Sequence, residues 1–195
     1  VYQQDFSVLE KEDSSPLTQA DLAAHHCIVR MLPELDSSIP ILSEESASIE
    51  WSVRESWSKY WLVDPLDGTR EFVKKNGEFT VNIALIENGE PILGVVYAPV
   101  LDWMLVGARG IGTSWFKGQN SGVAKVVSAS TPLKVAASRS HRDEKTQAYL
   151  DKIGAVDTVG LGSSLKFCKI ASGEIDLYPR FGPTSEWDTA AAQAV

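Results

Sequence analysis

The densest group of reactive side chains lies in the run Trp61-Leu62-Val63-Asp64-Pro65-Leu66-Asp67-Gly68-Thr69-Arg70-Glu71-Phe72, where an apolar stretch ends and two aspartates sit three residues apart around a Pro-Leu turn. Oxygen donors converging on one point suit a hard cation such as Mg2+. The Gly68-Thr69 pair that follows would expose backbone N–H groups, and a helix starting there would favour a phosphate. A metal and a phosphate are therefore able to meet at this turn. The same residues also make ordinary turns, since Asp-Pro and Asp-Gly are common loop dipeptides. Leu42-Ser43-Glu44-Glu45 is open in the same way, because acids that follow a strand are usually solvated.

These groups need elements to position them. In residues 16–32 the apolar set Leu17, Ala20, Ala23, Ala24, Cys27, Ile28, Met31 and Leu32 recurs every three or four positions, which predicts an amphipathic helix with Thr18 and Asp21 as its capping box. Residues 39–42 read as a short strand running into acids, and residues 60–63 repeat that design, stopping at Asp64-Pro65. Two strands thus deliver carboxylates at their C-terminal ends. Residues 80–86 alternate, with Val81, Ile83 and Leu85 on one side and Asn82 and Ala84 on the other, and Asn88-Gly89 marks a hairpin before residues 92–97. With strands at 103–107 and 114–117, an antiparallel meander over about 79–127 follows. Strands at 134–137, 156–159 and 175–178 then alternate with helices at 143–153 and 163–172, the second ended by Gly173. The polar stretch 128–132 divides the chain into halves 1–130 and 131–195. No internal repeat, heptad array or low-complexity segment interrupts them.

Composition narrows the function classes. A 195-residue chain that is 44% hydrophobic fills a substantial core without staples. Its net charge of -8 opposes the broad basic surface that a nucleic-acid polymer needs, so an anionic ligand requires bound cations to reverse the local field. Cys27 and Cys168 lie far apart and neither has a CxxC partner, which points to a reducing cytoplasm. No stretch has the eighteen apolar residues of a membrane span and no signal-peptide core opens the chain, so a soluble protein is expected.

The motifs taken together carry a resemblance. Asp64-Pro65-Leu66-Asp67-Gly68-Thr69 resembles the first signature of the inositol-monophosphatase superfamily, Glu44-Glu45 stands at a family-like distance of twenty residues before Asp64, and Trp187-Asp188-Thr189-Ala190-Ala191 resembles the second signature. The continuation Thr69-Arg70-Glu71-Phe72 is similar to the CysQ-type, bisphosphate-nucleotidase branch, where a basic residue follows Gly-Thr. So are the stretches 76–83, 94–99, 138–141, 162–168 and 178–183, and the likeness covers essentially the whole chain. Family members begin with a further helix and continue well past the Trp-Asp signature, so a piece of a longer protein is expected. The resemblance implies an α/β (α+β) protein with a layered αβαβα sugar-phosphatase fold, an antiparallel-rich first sheet and a second α/β half. It also implies a lithium-sensitive, Mg2+-dependent phosphomonoesterase acting on adenosine 3′,5′-bisphosphate, and on its sulfated relative, in sulfur assimilation.

The same resemblance distributes roles. Glu44, Asp64 and the Leu66 carbonyl would hold one Mg2+, and Asp64, Asp67 and Asp188 another, within a total of two or three ions. Thr69, paired with Asp21 or Glu44, would orient and deprotonate the attacking water, although Asp21 and Asp188 suit helix caps equally. Glu44, Leu66, Asp67, Gly68, Thr69 and Asp188 would surround the substrate's reacting end, while His141, Ser163, Lys166 and Arg180 would contact the nucleotide. Lys166 reads as well as a solvated helix lysine. His25 and His26 have no ligand spacing and read as structural, and Trp51, Trp57 and Trp61 as packing residues. The expected partner is a phosphorylated small molecule rather than a nucleic-acid polymer, bound by a monomer or homodimer that can touch the inner membrane peripherally. Inositol monophosphate or fructose 1,6-bisphosphate hydrolysis is the alternative within the class. A non-catalytic Mg2+- or Ca2+-binding nucleotide sensor is the alternative outside it, and Thr69 beside a full carboxylate set speaks against that.

Overall fold

A computed structural model describes residues 2–3, 8–10, 16–46, 48–138 and 144–195. Its centre is a seven-stranded mixed sheet built from β3 (Ile41–Ser43), β4 (Lys59–Asp67), β5 (Thr80–Glu87), β6 (Glu90–Ala98), β7 (Trp103–Ala108), β8 (Gly112–Lys117) and β9 (Asn120–Val123), side by side in that order. The β3–β4 pair is parallel and every later pair antiparallel, which is the expected meander. Asn88 (φ 52°) and Gly89 (φ 78°) both occupy the left-handed region, as a tight turn matched to strand twist requires.

Side-chain alternation sends β4 to two cores at once. Trp61 and Val63 pack with Leu32, Ile28 and Ile83 beneath helix α1 (Gln19–Leu35), while Leu62 joins Leu42, Ala84, Val96 and Leu105 on the opposite face. That second face is covered by helices α5 (Leu165–Ala171) and α6 (Glu186–Ala194), through Leu165, Cys168, Ala190, Ala191 and Ala192. Burying thirteen side chains in this cluster is the main stabilising term, and at roughly 25 cal/mol per Å² of apolar surface each large aliphatic contributes about 1.5–3 kcal/mol.

Helix α6 lies unusually close to the sheet, and two glycines permit it. Gly94 and Gly107 face each other across the β6–β7 ladder. A β-carbon on Gly94 would sit 2.0 Å from the Ala191 carbonyl oxygen, and one on Gly107 2.4 Å from that of Ala194. Only bare backbone leaves room for the helix.

The remaining elements are smaller. Strands β1 (Val8–Glu10) and β2 (Pro16–Thr18) form an antiparallel pair, α2 (Trp51–Arg54) and α3 (Thr69–Val73) are single turns, and β10 (Leu133–Ser138) pairs in parallel with β11 (Val156–Leu161) across α4 (Glu144–Ile153).

Several local expectations need correction. Residues 16–18 are strand, and the helix starts one residue later at Gln19, because Thr18 is its N-cap. It also runs to Leu35 through Pro33, which removes only a single bond so close to the helix end. Residues 175–178 make one isolated bridge, Leu177 to Val135, instead of a strand. The helix expected from 163 starts at Leu165, since Ser163 adopts a positive φ of 48°. Finally, the more deeply buried face of β5 carries Thr80, Asn82, Ala84 and Ile86 rather than Val81, Ile83 and Leu85.

Candidate active site

The site is made at the end of β4, by an irregularity. In a regular strand, residues three apart point to opposite faces, so Asp64 and Asp67 would diverge. Here Asp64 pairs with Asn82 and Asp67 with Thr80, three steps on β4 against two on β5. The extra residue reverses the alternation and brings both carboxylates to one side, at the point where Pro65 offers no N–H to the ladder. Strand pairing thus continues through the Asp-Pro step where the sequence predicts a stop.

Helix α6 brings the third carboxylate. Ser185 is its N-cap and Asp188 completes the capping box, with Asp188 Oδ2 accepting from the Ser185 N–H (2.9 Å) and the Thr184 hydroxyl (2.8 Å). One oxygen from each of Asp64, Asp67 and Asp188 lies within 4.8 Å of the others. Burial, then the charges of Asp67, Glu44 and Asp188, push the Asp64 carboxyl well above the ordinary carboxylate range. Burial and Asp188 raise Asp67 as well, against the opposing charge of Lys166 and the hydrogen bonds from Ser164. Buried carboxylates that disfavour their own ionisation, with oxygen donors alone, fit a hard divalent cation.

The capping and catalytic readings of Asp21 are compatible in the geometry. Its Oδ2 accepts from the Thr18 N–H at 2.8 Å, and its Oδ1 accepts from the Thr69 hydroxyl at 3.1 Å. Thr69 Oγ1 also lies 3.3 Å from the Leu66 carbonyl, so its single proton serves one of the two acceptors. Of the two partners expected for Thr69, the structure supplies Asp21. Gly68 supports the turn with φ 92°, and a β-carbon there would press on Ser163 at 3.1 Å. The helix expected after it exists but spans only Thr69–Val73.

A cleft of about 580 Å³ collects these residues. Glu44, Asp64, Leu66, Asp67, Gly68, Thr69 and Asp188 line it together with Ser163, Lys166 and Arg180. Of the predicted site residues, Asp21 stands behind Thr69 without lining the cleft, and His141 lies outside the described residues. Lys166 is not a solvated helix lysine. It is 5% exposed, donates to the Leu161 and Ser163 carbonyls, sits 5.1 Å above the Tyr178 ring, and is lowered by burial to about 8. Arg180 Nη2 donates to the Pro183 carbonyl at 2.7 Å, while its Nε is buried with no partner among the described residues. His25 supports the site from behind, its Nδ1 2.9 Å from the hydroxyl of Ser43, the residue before Glu44.

Sequence reasoning missed Asn82, Ser164 and Thr184, which bond the carboxylates, and Arg70 and Tyr178 as cleft residues. One signal was available: Thr80 and Asn82 place polar groups on the strand face that Ala84 and Ile86 bury, a position that needs partners.

Comparison with known proteins agrees with this architecture. The sequence model of the inositol monophosphatase family matches residues 1–195. The 3′(2′),5′-bisphosphate nucleotidase CysQ of Salmonella typhimurium is 54% identical over 187 residues, covering 95% of this chain and 74% of the relative. The protein of the same name from Escherichia coli K12 is 53% identical over 190 residues, covering 96% and 75%. Among solved structures, CysQ from Bacteroides thetaiotaomicron superposes with a TM-score of 0.84 at 41% identity, covering 94% of this chain and 74% of that one. The chain spans about three quarters of the length of these relatives and belongs to the inositol monophosphatase family.

Proposed function

We propose that this chain is a 3′(2′),5′-bisphosphate nucleotidase that removes the 3′-phosphate of adenosine 3′,5′-bisphosphate with Mg2+. The observation that carries this reading is a single cleft lined by both a carboxylate cluster and two basic side chains. Three clustered carboxylates line it together with a buried lysine and an arginine whose Nε has no partner among the described residues. A substrate with two phosphates fits such a lining, one phosphate on cations held by the carboxylates and one on the basic side chains. The relatives' name supports it at 53–54% identity.

Asp64, Asp67 and Asp188, with Glu44 and the Leu66 carbonyl also lining the cleft, would hold the cations, two or three by the family resemblance. Bound there, Mg2+ supplies charge neutralisation at the phosphate and acidifies water. The protein's own residues do the rest. Thr69, donating its proton to Asp21, keeps its oxygen lone pairs turned to accept from a water at the cleft wall, and so orients that water toward phosphorus. Asp21 is held by its cap to Thr18, so the pair is pre-set. Lys166 and Arg180, beside Ser163, grip the phosphate that is not cleaved, and that binding energy positions the reacting one. We place this work in a reducing cytoplasm, in keeping with the free thiols of exposed Cys27 and buried Cys168. Among the described residues no helix is long and apolar enough to cross a membrane.

The test is phosphate release with Mg2+ from three substrates in parallel: adenosine 3′,5′-bisphosphate, inositol 1-phosphate and fructose 1,6-bisphosphate. A kcat/KM highest for the nucleotide is expected. Preference for inositol 1-phosphate would overturn the nucleotidase reading and retain the phosphatase.

A further inference from the structure

Outside the residues that touch the cleft, one buried polar unit joins both halves of the chain at the carboxylates. Ser164 sits at the N-cap position of α5, yet its side chain makes no capping bond to that helix. Its hydroxyl instead lies 2.9 Å from Asp67 Oδ2 and 3.0 Å from the backbone carbonyl of Asp188, and accepts from Asn82 Nδ2 at 3.0 Å. Both Ser164 and Asn82 are 1% exposed. Asp67 Oδ2 also has the Thr80 hydroxyl at 3.4 Å and Asn82 Nδ2 at 3.5 Å. Three side-chain donors therefore surround a single oxygen of Asp67, the one proton of Ser164 serving either that oxygen or the Asp188 carbonyl. The same hydroxyl reaches the first turn of α6, where Asp188 begins its approach from a different element.

We propose that Ser164, oriented by Asn82, is a positioning residue that sets the separation of Asp67 and Asp188 for divalent-cation binding. This rests on the reading of Asp64, Asp67 and Asp188 as cation ligands. Geometry supports it in two ways. The two carboxylates come from β4 and α6, which share no local sequence, and Ser164 is the group that contacts both residues. Asn82 in turn stands opposite Asp64 in the β4–β5 ladder, so the brace is anchored to the strand irregularity that gathers the aspartates. Deleting such an outer partner typically lowers metal affinity tenfold to a hundredfold while leaving the direct ligands in place.

The experiment is Mg2+ titration by calorimetry on metal-stripped protein, without substrate, for the wild type, Ser164→Ala, Ser164→Thr and Asn82→Ser. We expect Mg2+ affinity to fall tenfold or more in Ser164→Ala and Asn82→Ser, and Ser164→Thr, which keeps the hydroxyl, to stay close to the wild type. At saturating Mg2+ the nucleotide KM should be unchanged in all three. If Ser164→Ala fails to fold, Asn82→Ser carries the same expectation. Unchanged Mg2+ affinity in the folded variants, even with a lowered unfolding midpoint, would make the brace structural and overturn the proposal. A wild type that binds no Mg2+ would overturn the cation-site reading itself, and this inference with it.

Discussion

Replacing Asp64 with asparagine should make the metal-free protein more stable while abolishing phosphate release. The side chain is 1% exposed and shares a site in which carboxylate oxygens approach within 4.8 Å. Two ionised carboxylates at that separation repel by roughly 3.5 kcal/mol at an effective dielectric near 20. Protonation limits the cost, since burial and three acidic neighbours hold Asp64 well above the ordinary carboxylate range. Removing the charge should therefore stabilise the apo protein by about 1–3 kcal/mol, or roughly 2–12 °C in melting temperature for a chain of this size. The sign with pH follows from the direction of the shift. Between the unfolded carboxyl value of 3.8 and the raised folded one, the native state holds the extra proton, so wild-type apo stability declines as pH rises through that window. The asparagine variant loses this dependence, and its advantage should widen as pH rises from 3.8 toward the raised folded value. Thermal melts in chelator and in Mg2+, paired with phosphate release, make the assay. Mg2+ should raise the wild-type midpoint and leave the variant's nearly still. A destabilised apo variant would refute the reasoning, as would one that keeps a tenth of wild-type activity, a loss of only about 1.4 kcal/mol in barrier stabilisation.

Three further outcomes are expected. Arg180→Ala should reduce kcat/KM for adenosine 3′,5′-bisphosphate by one to two decades relative to inositol 1-phosphate, the size of a lost charge-assisted contact of about 1.5–3 kcal/mol, and an equal loss on both substrates would assign Arg180 to the fold. Because burial lowers Lys166 to about 8, its charge is present below that pH and lost above it, so kcat/KM for the nucleotide should decline through pH 8 and Lys166→Arg should flatten that limb in a pH–rate profile. Gly94→Ala should lower the unfolding free energy by about 1–3 kcal/mol in a denaturant melt, because the new methyl meets the Ala191 carbonyl at 2.0 Å, and should weaken Mg2+ binding by displacing the helix that carries Asp188.

Much of this was legible in the chain, for physical reasons that differ by element. The meander was readable because period-two alternation and the Asn88-Gly89 turn are local signals. The clustering of Asp64 and Asp67 was legible only as a spacing. That they share a face depends on one unpaired residue in β4, which cross-strand register reveals and sequence does not. Lys166 looked solvated because its neighbours on α5 suggest an ordinary helix, whereas the positive φ of Ser163 turns the chain so that the ammonium finds two carbonyls and the Tyr178 ring. The polar stretch 128–132 lies between β9 and β10, yet α5 and α6, which follow it, pack onto the seven-stranded sheet that precedes it, a long-range packing choice that no window of residues displays.

The glycine floor under α6 has a consequence for how such a protein can diversify. With helix backbone nearly touching strand backbone at Gly94 and Gly107, the element carrying Asp188 has no freedom to tilt, and most side chains introduced beneath it would be rejected. The basic part of the cleft, by contrast, is held through side chains, with Lys166 resting on carbonyls and a ring and Arg180 on the Pro183 carbonyl and Tyr178. Mutational drift is therefore channelled: the residues proposed to grip a ligand can be rewritten one by one, whereas the packing beneath the helix that carries Asp188 tolerates little rewriting. A lineage built on this scaffold is free to change what it recognises long before it can change what it does.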